Sequence, residues 1–203
     1  QNIASASTID LNSAEKLFDK SLELKPDFEL AVRNRGIVRY YLDKTDLAYK
    51  DLLYATQLDP NDENAQYYLG KVLYKQKNYP SALQFFDNAI NLSKTRTEFF
   101  LDRGICKLDM EDIKAARSDF YKAFQIGDEK GYAAYQLART YGAEADKSNA
   151  FNYLREAKKR GLFVFASLRL IIKKSPSVFG LPKTFQPIIG LINSKERFFI
   201  NSA

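Results

Sequence analysis

The residues that most often perform chemistry in proteins are sparse in this sequence. It contains no histidine and a single cysteine, Cys106. Without histidine the chain lacks the commonest general base and the commonest metal ligand, and a cysteine–histidine nucleophile is excluded. We therefore expect Cys106 to be a small, buried apolar residue. A single cysteine also excludes an internal disulfide and leaves the redox compartment open.

Acidic residues are numerous, but their spacing matches neither a catalytic pair nor a metal site. Glu111 and Asp112 fall in a predicted turn between two helices, where carboxylates usually cap a helix or are solvated. The sequence also contains neither a phosphate-binding loop nor a dinucleotide-binding fingerprint. It therefore predicts a protein that is not an enzyme, with no metal, no cofactor and no small-molecule substrate.

Charge is distributed unevenly along the chain. Residues 1–150 hold 21 Lys/Arg and 23 Asp/Glu, whereas residues 151–203 hold 10 and 2. A basic C-terminal segment could meet anionic lipid or nucleic acid. The alternative, which we favour, is that this segment covers the end of a helical array and that its charges are solvated. The basic residues concerned are Lys158, Lys159, Arg160, Arg169, Lys173 and Lys174.

The elements that position these residues follow from an internal repeat of 34 residues. Small residues recur at this interval, and larger apolar residues recur beside them. The recurring positions are Gly36, Gly70 and Gly104; Ala14, Ala48, Ala82, Ala116 and Ala150; and Phe18, Leu52, Phe86, Phe120 and Leu154. Small residues let two antiparallel helices approach closely, and the larger residue fills the space between them. We therefore interpret the glycines as helix-packing residues.

The pattern resembles the tetratricopeptide repeat family, most clearly in residues 63–96 with Gly70, Leu73, Ala82, Phe86 and Ala89. The resemblance implies an all-α protein, a right-handed superhelix (an α-α solenoid) of four full helix-turn-helix repeats. An N-terminal helix precedes the repeats and a C-terminal segment caps them. The array is predicted to cover residues 1–164 and a basic helical cap to cover residues 165–203. Within the array we expect a partial repeat 1–28, followed by full repeats 29–62, 63–96, 97–130 and 131–164.

One position of the repeat departs from the family pattern. Position 7 is usually leucine, but it is Arg35 in the first full repeat and Arg103 in the third. The same two repeats carry Asp51 and Asp119 at position 23, where the other two have aromatic residues. Because the two positions switch together, we predict ion pairs of Arg35 with Asp51 and of Arg103 with Asp119. The alternative is that both arginines extend to solvent without a partner.

The family resemblance also implies where a partner binds. In the family, positions 2, 5, 9 and 12 of each first helix line the concave face of the superhelix. Tyrosines, cations and aliphatic residues dominate these positions here, as they do in binding hot spots, and an extended peptide of acidic and apolar character would suit them. The predicted groove residues are Arg33, Ile37, Tyr40, Tyr67, Lys71, Tyr74, Leu101, Ile105, Tyr132, Tyr135 and Arg139.

The predicted function is therefore a protein–protein interaction scaffold or adaptor with a peptide or protein partner and no catalysis. The alternative is a membrane-surface or nucleic-acid-associated protein that acts through its basic C-terminal segment. Family members that hold chaperone tails use a clamp of lysines, arginines and asparagines. The corresponding residues here are Arg33, Ile37, Tyr68, Glu98 and Asp102, so a chaperone-tail adaptor is not expected.

Residues 31–62 are also similar to a repeat of a bacterial outer-membrane lipoprotein of this class, an adaptor for periplasmic proteases and cell-wall enzymes. The shared residues are AsnArgGlyIle at 34–37, TyrTyr at 40–41, AspLeuLeu at 51–53 and AspProAsnAsp at 59–62. This similarity favours a bacterial exported protein in the periplasm or cell envelope, with the cytoplasm as the alternative. The first residue, Gln1, fits a removed signal peptide and equally a trimmed chain.

Overall fold

The structure, a computed structural model, describes residues 3–162, with side chains from residue 10 onward. Over that range the chain forms nine α-helices and no strand, so the predicted all-α class is confirmed. The helices are α1 Ile3–Leu24, α2 Glu29–Tyr41, α3 Thr45–Leu58, α4 Glu63–Lys75, α5 Tyr79–Leu92, α6 Thr97–Asp109, α7 Ile113–Gly127, α8 Tyr132–Ala143 and α9 Lys147–Lys159. The predicted cap over 165–203 lies outside the described residues. Within them, no helix is long and apolar enough to cross a membrane.

The turns between first and second helices repeat with the same period as the helices. One residue in each turn has a left-handed backbone, and these residues are Asp43, Lys77, Glu111 and Ala145. The next residue is the N-cap of the second helix, and in three repeats its side chain caps that helix. The capping residues are Asn78, Asp112 and Asp146, each of which accepts a hydrogen bond from a backbone N–H three residues on. Such caps satisfy donors that the first helical turn leaves unpaired.

The recurring small residues lie in the centre of the packed helix pairs. Ala48, Ala82 and Ala150 are fully buried, as the repeat pattern predicts. A Cβ atom on Gly70 would lie 2.8 Å from Cδ1 of Phe86, and one on Gly36 would lie 2.8 Å from Cγ of Leu52. These two glycines therefore permit a helix–helix approach that a methyl group would prevent.

The described residues fall into two compact units, divided between Met110 and Glu111. The first unit contains α1 to α6 and the second contains α7 to α9. The division lies in the turn of the predicted repeat 97–130, so the two helices of that repeat belong to different units. The boundaries of the individual repeats remain predictions.

Cys106 occupies a packing position on α6. Its side chain is fully buried, and its Sγ lies 3.8 Å from the carbonyl oxygen of Tyr79, to which it donates. Burial, with a smaller contribution from the charge of Asp109, raises the pKa of the thiol to about 11. The thiol is therefore protonated at neutral pH, as expected for a structural cysteine.

Candidate functional site

Six side chains of the first unit form what we call the tyrosine surface. Two of them lie at the C-terminal end of α2 and four lie along α4, which contacts both α2 and α6. On α4 the spacings of three, four and seven residues put the side chains on neighbouring turns of one side of the helix. The tyrosine surface consists of Tyr40, Tyr41, Tyr67, Tyr68, Lys71 and Tyr74.

The rings of this surface hold one another in place by edge-to-face contacts. The centroid of the Tyr40 ring lies 5.3 Å from that of Tyr41 and 5.9 Å from that of Tyr68. The Tyr67 and Tyr68 centroids are 5.2 Å apart, and the hydroxyl oxygens of Tyr41 and Tyr68 are 3.0 Å apart. Perpendicular ring pairs are favourable because the positive edge of one ring meets the negative face of the other. The four rings thus form a preorganised aromatic cluster.

The ammonium group of Lys71 lies over this cluster. Its Nζ is 5.4 Å from the Tyr40 ring centroid, 5.3 Å from that of Tyr67 and 5.7 Å from that of Tyr68. It also lies 3.3 Å from Oδ2 of Asp102 on α6. Burial alone would lower the pKa of Lys71, but the charges of Asp102 and the neighbouring tyrosines raise it. Lys71 is therefore a fixed cation in an aromatic environment.

Two carboxylates on α6 accept hydrogen bonds from tyrosine hydroxyls on α4. Tyr67 donates to Oδ2 of Asp102 and Tyr74 donates to Oδ2 of Asp109, each at 2.5 Å. The two tyrosines are seven residues apart, as are the two aspartates, so the contact repeats after two helical turns. Burial first, and then the neighbouring aspartate, raises the pKa of both tyrosines. Their hydroxyls therefore remain protonated donors.

The cations of the predicted groove already have partners within the chain. Nη1 of Arg33 lies 2.9 Å from Oδ2 of Asp62. The other oxygen of Asp62 caps α4 by accepting the backbone N–H groups of Asn64 and Ala65. Because Lys71 is likewise paired, an acidic partner would compete with an internal carboxylate at both positions. The remaining predicted residues of this unit, Ile37, Leu101 and Ile105, are half-buried.

The second unit contains three of the predicted groove residues in different environments. Tyr132 is 52% exposed. Tyr135 packs against the buried Ala138 and Leu154, and burial raises its pKa. Nη1 of Arg139 donates to Oε1 of Gln136 at 2.7 Å. Tyr135 therefore contributes to packing, whereas Tyr132 presents its ring to solvent.

The predicted pair of Arg35 and Asp51 is brought together between α2 and α3, at 2.8 Å from Nη2 to Oδ1. It belongs to a larger charge network that the sequence interpretation missed. Arg39 binds Asp51 at 2.7 Å and Glu15 of α1 at 2.9 Å. Glu15 could not be found from the 34-residue register, because the same position holds Tyr49 and Leu83 in the following repeats. Arg39 could have been found, because its position changes type as that of Arg35 does: it is Lys107 in the third repeat, and Leu73 and Tyr141 in the other two.

Within the first unit, Arg103 contacts a carboxylate on α5. Its Nη1 lies 2.6 Å from Oδ1 of Asp87 on α5. Arg35 contacts Asp19 in the equivalent way, at 2.9 Å and with the same separation of 16 residues. The pair of Arg103 with Asp119 remains a prediction.

Several residues of the site were not among the predicted groove residues: Tyr41 and Tyr68 on the tyrosine surface, and the hydroxyl acceptors Asp102 and Asp109 on α6. Tyr68 and Asp102 occupy position 6 of successive repeats, next to the predicted position 5. Tyr68 also precedes Lys71 by three residues, which places the two on neighbouring turns of α4. These spacings were a usable signal, but Asp102 is recognisable as a partner of Lys71 only when α4 and α6 are seen side by side.

The basic residues near the end of the described range are partly structural. The guanidinium carbon of Arg160 lies 4.2 Å from the Phe124 ring centroid, and its Nε donates to Glu156 at 3.0 Å. Lys158 and Lys159 are exposed. The other basic residues of the predicted tail, Arg169, Lys173 and Lys174, lie outside the described residues, so a membrane or nucleic-acid role of this segment stays a prediction.

Known proteins share this arrangement of paired helices. The model of the family described as anaphase-promoting complex, cyclosome, subunit 3 matches residues 40–123. The solved structure of YrrB, a TPR protein with an unusual peptide-binding site, matches with a TM-score of 0.66 and 24% identity, over 84% of this chain and 87% of that one. This chain therefore has the fold of tetratricopeptide-repeat proteins.

Two curated proteins are similar to this chain over part of their length. One is the DnaJ homolog subfamily C member 7 homolog of Dictyostelium discoideum, which is 27% identical over 72% of this chain. The other is a UDP-N-acetylglucosamine–peptide N-acetylglucosaminyltransferase of Giardia intestinalis, which is 24% identical over 59% of this chain. The chain spans 28% of the first relative and 8% of the second.

Proposed function

We propose that this chain is a non-catalytic scaffold or adaptor that binds a peptide or a protein segment on the tyrosine surface. The observation that carries the proposal is the arrangement of Tyr40, Tyr67 and Tyr68 around the ammonium group of Lys71. Aromatic side chains dominate the energy of protein interfaces. Rings already held by their neighbours also lose little conformational entropy when a partner binds.

The internal pairing of charges suggests the chemistry of the partner. Arg33 and Lys71 are bound to Asp62 and Asp102, so a strongly acidic partner gains little from them. Tyr67 is buried, so the surface offers the rings of the exposed Tyr41 and of the half-buried Tyr40 and Tyr68. It also offers the hydroxyls of Tyr41 and Tyr68, which bond to each other. An extended peptide with apolar side chains and free backbone donors and acceptors fits this combination. The peptide-binding site of YrrB supports a peptide partner for a chain of this fold.

The test is selection of peptides from a displayed random library on the full chain, followed by affinity measurement with fluorescence anisotropy. Tyr68→Ala removes a central ring, and Lys71→Met removes the charge while keeping a similar length. Tyr54→Ala is the matched control, because Tyr54 is a 41% exposed tyrosine on α3, outside the tyrosine surface. We expect Tyr68→Ala to weaken binding by about tenfold or more and Tyr54→Ala by about twofold or less.

Circular dichroism melting shows whether each variant remains folded under the assay conditions. The proposal is wrong if the library yields no peptide that binds saturably. It is also wrong if folded Tyr68→Ala and Tyr54→Ala proteins bind the selected peptides equally well.

A further inference from the structure

A separate pocket lies in the second unit, between α7 and α8. It is an open cavity of about 330 Å³. Four of its lining residues follow one side of α7 at spacings of three, one and three residues, and the fifth is on α8. The lining residues are Lys114, Arg117, Ser118, Tyr121 and Tyr141.

The lining has a consistent chemistry, because each of the five side chains carries an N–H or O–H donor and none is a carboxylate. Two of the five are cations. Tyr121 is 47% exposed, so its ring offers an apolar face at the mouth of the pocket. Donors and positive charge together suit an oxyanion.

Arg117 is held in a fixed orientation at this pocket. Its guanidinium carbon lies 4.2 Å from the centroid of the Tyr141 ring, which in turn stacks on Tyr153. Its Nε donates to Oγ1 of Thr140 at 3.2 Å, and its Nη2 donates to Glu144 at 2.5 Å. These contacts use Nε and Nη2, and Nη1 makes no hydrogen bond to any residue that the structure describes. Arg117 therefore presents an oriented donor group to a ligand.

Lys114 adds a second positive charge to the pocket, which matters because the charge of Arg117 is compensated by Glu144. Glu144 compensates the guanidinium of Arg117, whereas the exposed Lys114 forms no ion pair with the described residues. Lys114 also lies one helical turn before Ser118, whose hydroxyl is a further donor. The lining of the pocket thus places two cations beside oriented donors, and Glu144 and Asp146 are carboxylates that act on Arg117.

We propose that this pocket binds a phosphomonoester, with Lys114, Arg117 and Ser118 around the phosphoryl oxygens and the organic group against the Tyr121 ring. A phosphoryl group has three terminal oxygens and a charge near −2, which matches several donors and a cation better than a carboxylate does. The cavity is larger than a phosphate ion needs, and its aromatic wall suits the group that carries the phosphate. This site is independent of the tyrosine surface.

The test is titration of the full chain with phenyl phosphate, followed by isothermal calorimetry. Lys114→Glu should weaken binding by about tenfold or more, because it replaces the uncompensated cation by an anion. Lys122→Glu is the matched control, since Lys122 is an exposed lysine on the same helix that does not line the pocket. Glu144→Gln should strengthen binding, because it removes the charge that competes for Arg117.

A phosphotyrosine peptide that binds more tightly than phenyl phosphate would identify the source of the ligand as a modified protein, and weaker binding would identify a free phosphomonoester. The proposal is overturned if phenyl phosphate shows no saturable binding up to about 10 mM, a limit that corresponds to negligible affinity. It is also overturned if Lys114→Glu and Lys122→Glu weaken binding equally, or if benzoate binds as tightly as phenyl phosphate.

Discussion

The guanidinium of Arg35 spans both carboxylate oxygens of Asp51, with Nε 2.8 Å from Oδ2 and Nη2 2.8 Å from Oδ1. The Asp51 side chain is 8% exposed, and Arg39 binds the same carboxylate. Hydrogen bonding of Arg35 to Asp51 is the largest of the influences that raise the pKa of Arg35. One buried aspartate on α3 thus compensates two arginines on α2.

Replacing Asp51 by alanine should destabilise the chain by about 3–5 kcal/mol, because it leaves Arg35 and Arg39 partly buried without their shared anion. Asp19→Ala is the control, since Asp19 contacts the same arginines but its side chain is 43% exposed. We expect it to cost about 1 kcal/mol or less. Urea unfolding followed by circular dichroism measures both values. Equal losses in the two variants would contradict this account of the network.

The residues of the next repeat suggest a double variant that should be more stable than Asp51→Ala. The next repeat has Leu69 and Phe85 where this one has Arg35 and Asp51. The double variant Arg35→Leu/Asp51→Phe should therefore be more stable than Asp51→Ala, because apolar packing can replace a buried ion pair at similar volume. Arg39 keeps Glu15 as a partner in this background. A double variant less stable than Asp51→Ala would show that the two repeats do not pack equivalently at this position.

The fold was predictable because its determinants are local and periodic. Gly70 and Ala82 are one repeat away from Gly36 and Ala48, and each pair occupies the same packing position. Arg35 and Asp51 could also be paired from sequence, because their positions change type together. Asp19 and Arg39 also lie at positions that change type with Arg35, so the same signal indicates their place in the network. Glu15 and Lys44 have no counterpart that switches with them, so only the folded structure shows their contacts.

The candidate site was predictable in outline but not in its electrostatics. The positions of Tyr40, Tyr67 and Lys71 followed from the family pattern. The pairing of Lys71 with Asp102 did not, because these residues are 31 positions apart on different helices and the sequence does not show the distance between them. From the sequence, Lys71 is expected to be available to an acidic partner, whereas in the structure Asp102 compensates its charge.

Glu15 should make stability depend on pH. Its carboxylate is buried and binds Arg39 at 2.9 Å and Lys44 at 2.5 Å. Burial acts to raise its pKa, but the hydrogen bonds to Lys44 and Arg39 outweigh burial and lower it. A lowered pKa means that the stabilisation is fully present above the pKa of the unfolded chain, about 4.3, and is lost as the pH falls through the folded value.

We therefore expect Glu15→Gln to be less stable than the unaltered chain by about 1.5–3 kcal/mol at pH 7, and the difference to shrink below about pH 4. Urea unfolding at a series of pH values measures it. Glu23→Gln is the control, since Glu23 is exposed on the same helix. A difference that stayed constant down to about pH 3 would show that ionisation of Glu15 does not matter.

Gly70→Ala should destabilise the first unit. The added Cβ would lie 2.8 Å from Cδ1 of Phe86, and such overpacking costs about 1–3 kcal/mol, more than the gain of about 1 kcal/mol from better helix propensity. The fourth repeat shows how alanine can be accommodated, because Ala138 there packs with Leu154. Adding Phe86→Leu should therefore recover part of the loss. If the double variant is less stable than Gly70→Ala in thermal melts, the steric explanation fails.

Lys77→Gly should stabilise the chain, although it removes a side chain. Lys77 has a φ of 61° in the turn between α4 and α5, a left-handed conformation that costs a residue with a Cβ about 1–2 kcal/mol and glycine almost nothing. Glycine also increases the conformational entropy of the unfolded chain, which lowers stability by about 0.4–1 kcal/mol and offsets part of the gain. The net stabilisation should therefore be roughly 0.5–1 kcal/mol. The neighbouring Gln76→Gly is the control, because Gln76 has a φ of −75° and its replacement should lower the melting temperature. A lower melting temperature for Lys77→Gly would mean that the left-handed turn carries no strain that glycine can relieve.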